Sequence, residues 1–177
     1  MGISIPHSLH IRIPRLAIYL LVKYLAFKLN LDNYIIGGSY RRKKWTSNDI
    51  DIVLPEHYMN DMPSKMKTMK WHRNILRKDS AILSHQYIRI FKFFGIKKAI
   101  VIDMMPYTPE NYGNILVFAT GSTVHNVRIR ESLVKRGFSW QNPRYILNIE
   151  TGEKLCFRSE EDFFKFTKFP YKKPGDR

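Results

Sequence analysis

Large apolar residues fill positions 15–29 with little polar interruption, and Pro14 stands just ahead of them. This predicts a helix from Arg15 to Leu29, because proline's fixed φ suits a first turn. Asp32-Asn33 breaks it. Residues 34–36 (YII) predict a short strand closed by Gly37-Gly38, and residues 49–54 (DIDIVL) a second one closed by Pro55. Residues 61–78 predict a helix rich in lysine and arginine. Alternation predicts a strand over 86–94, a turn at Gly95–Lys97, and an Ile/Val-rich strand over 98–105. The stretch 106–113 (PYTPENYG) reads as a boundary. Beyond it, Ser122 caps a helix ending at Gly137, and 145–157 reads as a hairpin through Thr151-Gly152. Ser159, with Asp162 three residues on, opens a last helix that Pro170 stops. There is no internal repeat. The order predicts an α+β chain with a first unit over 1–109 and a second over 110–177.

Composition narrows the function classes. With 177 residues, 44% apolar and 25% charged, the chain is a folded protein rather than a disordered one. Its net charge of +15 is far beyond what solubility needs and points to an anionic partner. A single cysteine, Cys156, excludes an intramolecular disulfide framework and a CxxC-type zinc site. An intracellular, non-secreted protein is expected, with nucleus and cytoplasm equally open. The best apolar run, Leu16 to Val22, is well short of the roughly 20 residues a bilayer needs, so no membrane partner is expected.

The candidate chemistry lies in Gly38-Ser39-Tyr40-Arg41-Arg42 and Asn48-Asp49-Ile50-Asp51-Ile52. On a strand, Asp49 and Asp51 point to one side and Ile50 and Ile52 to the other. Two stacked carboxylates repel unless a cation compensates, and Mg²⁺ takes few carboxylates while keeping positions open for phosphate and water. A third carboxylate, Asp103, interrupts the apolar run 99–105 (AIVIDMM). If its strand lies beside the first, three carboxylates converge, enough for two metal ions. Gly38-Ser39 at a strand end suits close approach to phosphate, and Arg41 and Arg42 suit its oxygens. Together these parts suit nucleotidyl transfer to a hydroxyl.

The pattern resembles the polymerase beta-like nucleotidyltransferases and, more narrowly, family X DNA polymerases. The narrower likeness rests on Arg12-Ile13-Pro14-Arg15, Thr120-Gly121-Ser122, Asn126, Arg130 and Lys135-Arg136-Gly137-Phe138. Ser159 to Phe164, Pro170-Tyr171 and Pro174 extend it to residue 177. With no lyase domain or helix-hairpin-helix segment ahead of these motifs, the likeness is to the family's minimal, viral type, with which Val127-Arg128-Ile129-Arg130 also agrees. The resemblance implies a nucleotidyltransferase palm, a mixed sheet with helices on one face, followed by a small α+β C-terminal subdomain.

It also implies roles. Asp49 and Asp51 hold both Mg²⁺ ions, for which Mn²⁺ can substitute. Asp103 holds the catalytic one and assists loss of the primer 3′-hydroxyl proton. Gly38, Ser39 and Arg42, with Arg12 beside them, hold the nucleotide's phosphates. Phe118, Ala119 and Gly121 line its sugar, and Asn126 touches its minor-groove edge. Arg130 faces the template strand. Arg128, and His125 beside Asn126 on the same helix but without a matching family residue, are further candidates for DNA contact. The chain departs from the family at Val101, where a basic residue is usual. It departs again at Phe118-Ala119, where Tyr-Phe is usual and where ribose discrimination is expected to be loose, and at Thr123 after the Thr-Gly-Ser block.

The expected function is template-directed addition of dNTPs to a DNA 3′ end by a monomer, filling short gaps in base excision repair ahead of a separate ligase. The alternatives are a template-independent or small-molecule nucleotidyltransferase and a non-catalytic basic DNA-binding module. Two basic patches are candidates for duplex contact: Lys65, Lys67, Lys70, Arg73, Arg77 and Lys78, and Lys165, Lys168, Lys172 and Lys173. Trp45, in the basic loop, either stacks on a base or sugar, packs into the core or anchors that loop.

Overall fold

The computed structural model describes residues 12–73, 85–93 and 96–177. Helix α1, Arg15–Leu29, follows a two-residue strand β1, Ile13–Pro14, so that Pro14 caps the helix from outside rather than sitting in its first turn. β1 pairs with β3, Thr46–Ser47. α1 buries Ile18, Val22, Leu25, Ala26 and Leu29, the stripe that helical periodicity places on one face. Full burial of each larger member is worth about 1.5–3 kcal/mol. Asn30, in the left-handed conformation, ends it.

Five strands form the main sheet in the order β2-β4-β7-β6-β5. They are β2, Ile35–Ile36; β4, Ile50–Pro55; β5, His72–Arg73; β6, His85–Phe93; and β7, Ile96–Tyr107. β4 and β7 run parallel while the other neighbours are antiparallel, so the sheet is mixed. Its inward residues Ile50, Ile52, Leu54, Ile102 and Met104 join α1, Met62, Met66 and Trp71 in one core. That core covers one face only. Asp51, Val53, Asp103 and Met105 alternate onto the other face.

The helix expected over 61–78 is shorter. Helix α3 spans Met62–Thr68, and Lys70 takes a positive φ of 61°. The chain turns there because the Trp71 N–H bonds back to the Met66 carbonyl and the indole enters the core. A buried anchor overrides the helical propensity of the lysines. Arg77, Lys78 and Gly95 lie outside the described residues, while Ile96 and Lys97, expected in the turn, already pair with Phe93 and Lys92 as the start of β7.

Helix α4, Tyr112–Thr120, has no counterpart in the sequence reading, which treats its start as a boundary. It is buried on nearly every side. Ile115 and Ala119 pack on Val53, with Ile35, Met105 and Tyr107 around them, while Val117 belongs to a second core. α4 therefore joins the sheet to the C-terminal part. Gly113 fixes its seat, since a Cβ there would lie 2.1 Å from the Ser159 carbonyl oxygen.

The second core gathers Ile129, Leu133, Trp140, Ile146, Phe163 and Phe164. It is built by α5, Thr123–Val134; α6, Glu160–Thr167; and a small antiparallel sheet of β8, Phe138–Ser139, β9, Ile146–Asn148, and β10, Lys154–Leu155. Ser122 and Ser159 cap α5 and α6, each side chain accepting from a backbone N–H three residues on. α5 stops at Val134, and Gly137, at φ 78°, carries the turn after it. The architecture is the α+β arrangement expected, a palm-like sheet backed by helices with a compact C-terminal subdomain.

Candidate active site

β4 and β7 bring the acids together. In their parallel register Asp51 is the partner of Asp103, and both leave the sheet on the face that α1 does not cover. The Asp103 carboxylate is buried and its Oδ1 accepts from Gln86 Nε2 at 2.9 Å, from the neighbouring strand β6. Gln86 is a polar neighbour that the sequence reading missed. Its position in an alternating strand was visible, but not its register against Asp103. Asp49 precedes β4, and its Oδ1 accepts from the Ser47 hydroxyl at 3.2 Å. Val101 is buried with Ile88 and Ala99 on the same face.

Next to the acids lies the four-residue helix α2, Gly38–Arg41. Gly38 has φ 50°, and a Cβ on it would stand 1.8 Å from Asp51 Oδ2. Only glycine lets the backbone pass that close to the carboxylate. The guanidinium of Arg15 lies over the Tyr40 ring at 3.8 Å and donates to the Tyr40 carbonyl, tying α2 to the start of α1. Arg42 Nη2 donates to the Ser39 hydroxyl at 3.1 Å, and its Nη1 donates to the Thr120 carbonyl. Burial pulls the Arg42 pKa below its ordinary value, against Asp51 and Asp49, which favour its charge.

The far wall comes from α4 and α5. A cleft of about 480 Å³ is lined by Gly38, Ser39, Arg42, Asp49, Asp51 and Asp103 on one side. Met105, Phe118, Ala119, Gly121, Thr123, Asn126 and Arg130 line the other. Asn126 Nδ2 donates to the Phe118 carbonyl at 2.9 Å. Arg130 Nε donates to the Trp140 carbonyl at 3.0 Å, its guanidinium beside the Phe118 and Trp140 rings, and burial lowers its pKa. The peptide between Gly121 and Ser122 is cis.

Several of the residues singled out by sequence lie elsewhere. Arg12 is exposed and donates to the Thr46 hydroxyl. Arg128 is exposed on α5. His125 is buried with its ring against Phe164 and Phe169, so its imidazole is not brought into the cleft. Arg41, read as a phosphate contact, instead donates through both terminal nitrogens to Glu160, at 2.9 and 2.6 Å, and to the Thr120 hydroxyl. Trp45 is exposed, and its loop is anchored by the backbone instead. Lys65, Lys70, Lys28 and Arg89 surround a shallow cavity on the helix side of the sheet, away from the acids.

His125 gives a pH dependence. Burial first, then the charges of Arg177 and Lys172, hold its pKa down at about 4 against an ordinary 6.5. The unfolded chain takes up a proton near pH 6.5 and the folded chain does not, so this contribution is present above 6.5 and is lost as pH falls toward 4. Denaturant midpoints at pH 7 and at about pH 4.5 are expected to differ more in the native chain than in His125→Phe. Equal differences refute the assignment.

The three acids offer only oxygen donors, the set a hard divalent cation prefers. Among the described residues no three His, Cys, Asp or Glu side chains close into a cage that would hold a metal by themselves. Mg²⁺ does not ask for one, since it is ordinarily bound by one or two carboxylates together with substrate phosphates and water. The donor set therefore fits it.

Comparison with known proteins gives the same layout. Residues 12–104 match the family described as DNA polymerase beta palm, and residues 115–177 that described as DNA polymerase beta thumb. DNA polymerase lambda of Arabidopsis thaliana is 25% identical over 171 residues, covering 82% of this chain and 32% of that protein. The DNA polymerase/3′-5′ exonuclease PolX of Bacillus subtilis (strain 168) is 25% identical over 145 residues, covering 80% of this chain and 23% of that protein. The chain thus spans a third or less of the length of these relatives.

Proposed function

We propose, starting from the fact that the chain belongs to the polymerase beta-like family X, that it is a template-directed DNA polymerase adding dNTPs to a DNA 3′-hydroxyl. The observation that carries the reading is the register pairing of Asp51 with Asp103 in a cleft whose other wall holds Phe118, Asn126 and Arg130. Both relatives bear the name DNA polymerase, which supports the same substrate class.

Asp49, Asp51 and Asp103 are the residues that would hold two divalent cations, Mg²⁺ or Mn²⁺. Bound there, such ions neutralise charge developing on the phosphoryl oxygens. Asp103, shielded from water, takes the proton leaving the primer 3′-oxygen. Ser39 and Arg42, one hydrogen-bonded to the other, hold the β- and γ-phosphates, and Gly38 leaves them room. The Phe118-Ala119 backbone lies under the sugar. Asn126, already bonded to the Phe118 carbonyl, positions that platform and faces the incoming base, and Arg130 meets the template strand. The +15 charge supplies the rest of the affinity through release of counterions from DNA phosphates. Short-gap filling in base excision repair, sealed by a separate ligase, is the setting this chemistry suits.

The test is insertion of each dNTP and rNTP opposite each template base on a one-nucleotide gap, with and without Mg²⁺. Template-matched insertion that EDTA abolishes is expected, with rNTPs accepted to a measurable extent because Ala119 leaves room beside the sugar. Equal insertion with the template strand removed would make the enzyme template-independent. Tight binding without insertion would make it a DNA-binding scaffold.

A further inference from the structure

On the face of the sheet that α1 covers, opposite the acids, a shallow hollow of about 520 Å³ is lined by Lys28, Lys65, Lys70 and Arg89 together with Tyr24 and Met69. The four cations come from separate parts of the chain: the last turn of α1, helix α3, the turn that follows α3, and the middle of β6. None of the lining residues is acidic. Among the described residues Lys28, Lys70 and Arg89 pair with no carboxylate. Lys65 has Asp61, 72% exposed, at 3.7 Å, a contact of small worth.

A solvated face accounts for lysines along α3, but not for Arg89. Strand alternation sets Arg89 on the core side of β6, with Tyr87 and Phe91. There its Nη1 donates to the Met69 carbonyl at 3.1 Å, and its guanidinium lies 4.8 Å from the centre of the Phe91 ring. These contacts fix the guanidinium in the wall of the hollow and leave the donors on Nη2 for a ligand. The anchored turn at Trp71 brings Lys70 to the same hollow. Four positive charges about one hollow repel one another, and a multivalent anion turns that repulsion into attraction. Shape narrows the anion. The spaced phosphates of a duplex call for cations in a row, and Lys67, the next lysine of α3, does not line the hollow. A ring of cations suits phosphates joined directly to one another. We propose that the hollow is a polyphosphate site separate from the catalytic cleft, taking the triphosphate of a nucleotide or an inorganic polyphosphate. It lies across the sheet from Asp51 and Asp103, so both sites can be filled at once. The proposal does not rest on the polymerase reading.

Calorimetric titration of the full chain with sodium tripolyphosphate tests this, without DNA and at about 0.1 M NaCl. EDTA is present throughout, so that no divalent cation bridges the anion to the acids. Saturable binding is expected, weakened at least about tenfold in Lys28→Gln and in Lys70→Gln and unchanged in Arg42→Ala. Both lysines are exposed, so without the anion these two variants should unfold at the native temperature. Addition of tripolyphosphate should then raise the unfolding temperature of the native chain more than theirs. Titration with dATP under the same conditions separates the two sources. Tighter binding that Tyr24→Leu removes assigns the nucleotide, and equal or weaker binding assigns the inorganic chain. Three results overturn the proposal. The first is no saturable binding of tripolyphosphate, including the case in which only a DNA duplex binds through Lys28 and Lys70. The second is binding weakened as much by Arg42→Ala as by the lysine variants, which places the anion in the cleft. The third is an affinity no greater than that for orthophosphate at matched ionic strength, which reduces the hollow to diffuse charge.

Discussion

Asp103→Asn is expected to slow nucleotide insertion by about 10³–10⁵-fold, at roughly 1.4 kcal/mol per tenfold, while affinity for gapped DNA changes little. The substitution isolates charge from shape. An asparagine Oδ1 can still accept from Gln86 Nε2, so the hydrogen bond that holds the side chain against β6 survives. The register of β4 on β7 depends on backbone pairing and on Ile102 and Met104, which stay in place. What disappears is the negative charge beside Asp51 and, under the proposed function, the base that takes the 3′-hydroxyl proton. Single-turnover insertion on a one-nucleotide gap at saturating dNTP reads the effect. Gln86→Ala should cost far less, about tenfold, because it only loosens the carboxylate's orientation. If Asp103→Asn retains insertion within about tenfold of the native chain, Asp103 is not part of the reacting centre.

The acids could be found by sequence because strand alternation fixes which side chains share a face. Asp49 and Asp51 straddle Ile50, and Asp103 stands between Ile102 and Met104, whose burial sets its orientation. Register itself is long-range and was only inferable through the family's order of motifs. Three features stayed hidden for the same reason. The end of α3 depends on where the Trp71 indole finds its cavity. α4 is apolar on all sides because it is sandwiched between the sheet and the C-terminal core, and so shows no amphipathic period. Arg41 and Arg42 look alike as neighbours in a basic loop. At the end of α2 they diverge, and of the two Arg42 reaches the cleft. His125 is adjacent to Asn126 in sequence, which alone suggests the DNA. One residue on a helix is a rotation of about 100°, which sends it into the aromatic core.

The same divergence of Arg41 leads to the second large effect, on stability. Glu160→Ala is expected to destabilise the chain by about 3–5 kcal/mol, the usual consequence of removing one partner from a buried pair. Its carboxylate is 7% exposed, and it accepts from Arg41 at 2.9 and 2.6 Å and from Arg177 Nη1 at 2.8 Å. Burial pushes its pKa up, but the hydrogen bonds and charge of Arg41 and then Arg177 outweigh burial and hold it below the usual value. Its contribution is therefore present above the unfolded value and is lost as pH falls through the folded one. Without Glu160 two guanidinium groups face each other in a site that water reaches poorly. The location also makes the effect functional. Arg41 is the last residue of α2, next to Arg42 of the cleft wall, and Glu160 opens α6, so the pair ties that wall of the cleft to the C-terminal subdomain. A raised KM for dNTP should accompany the lower urea midpoint. Arg144 and Glu56 form a second link between the two parts at 2.7 Å, but Glu56 is 46% exposed, and Glu56→Ala should cost less than about 1 kcal/mol. Comparable small losses for the two variants would mean that the Glu160 cluster is hydrated and does not join the subdomains.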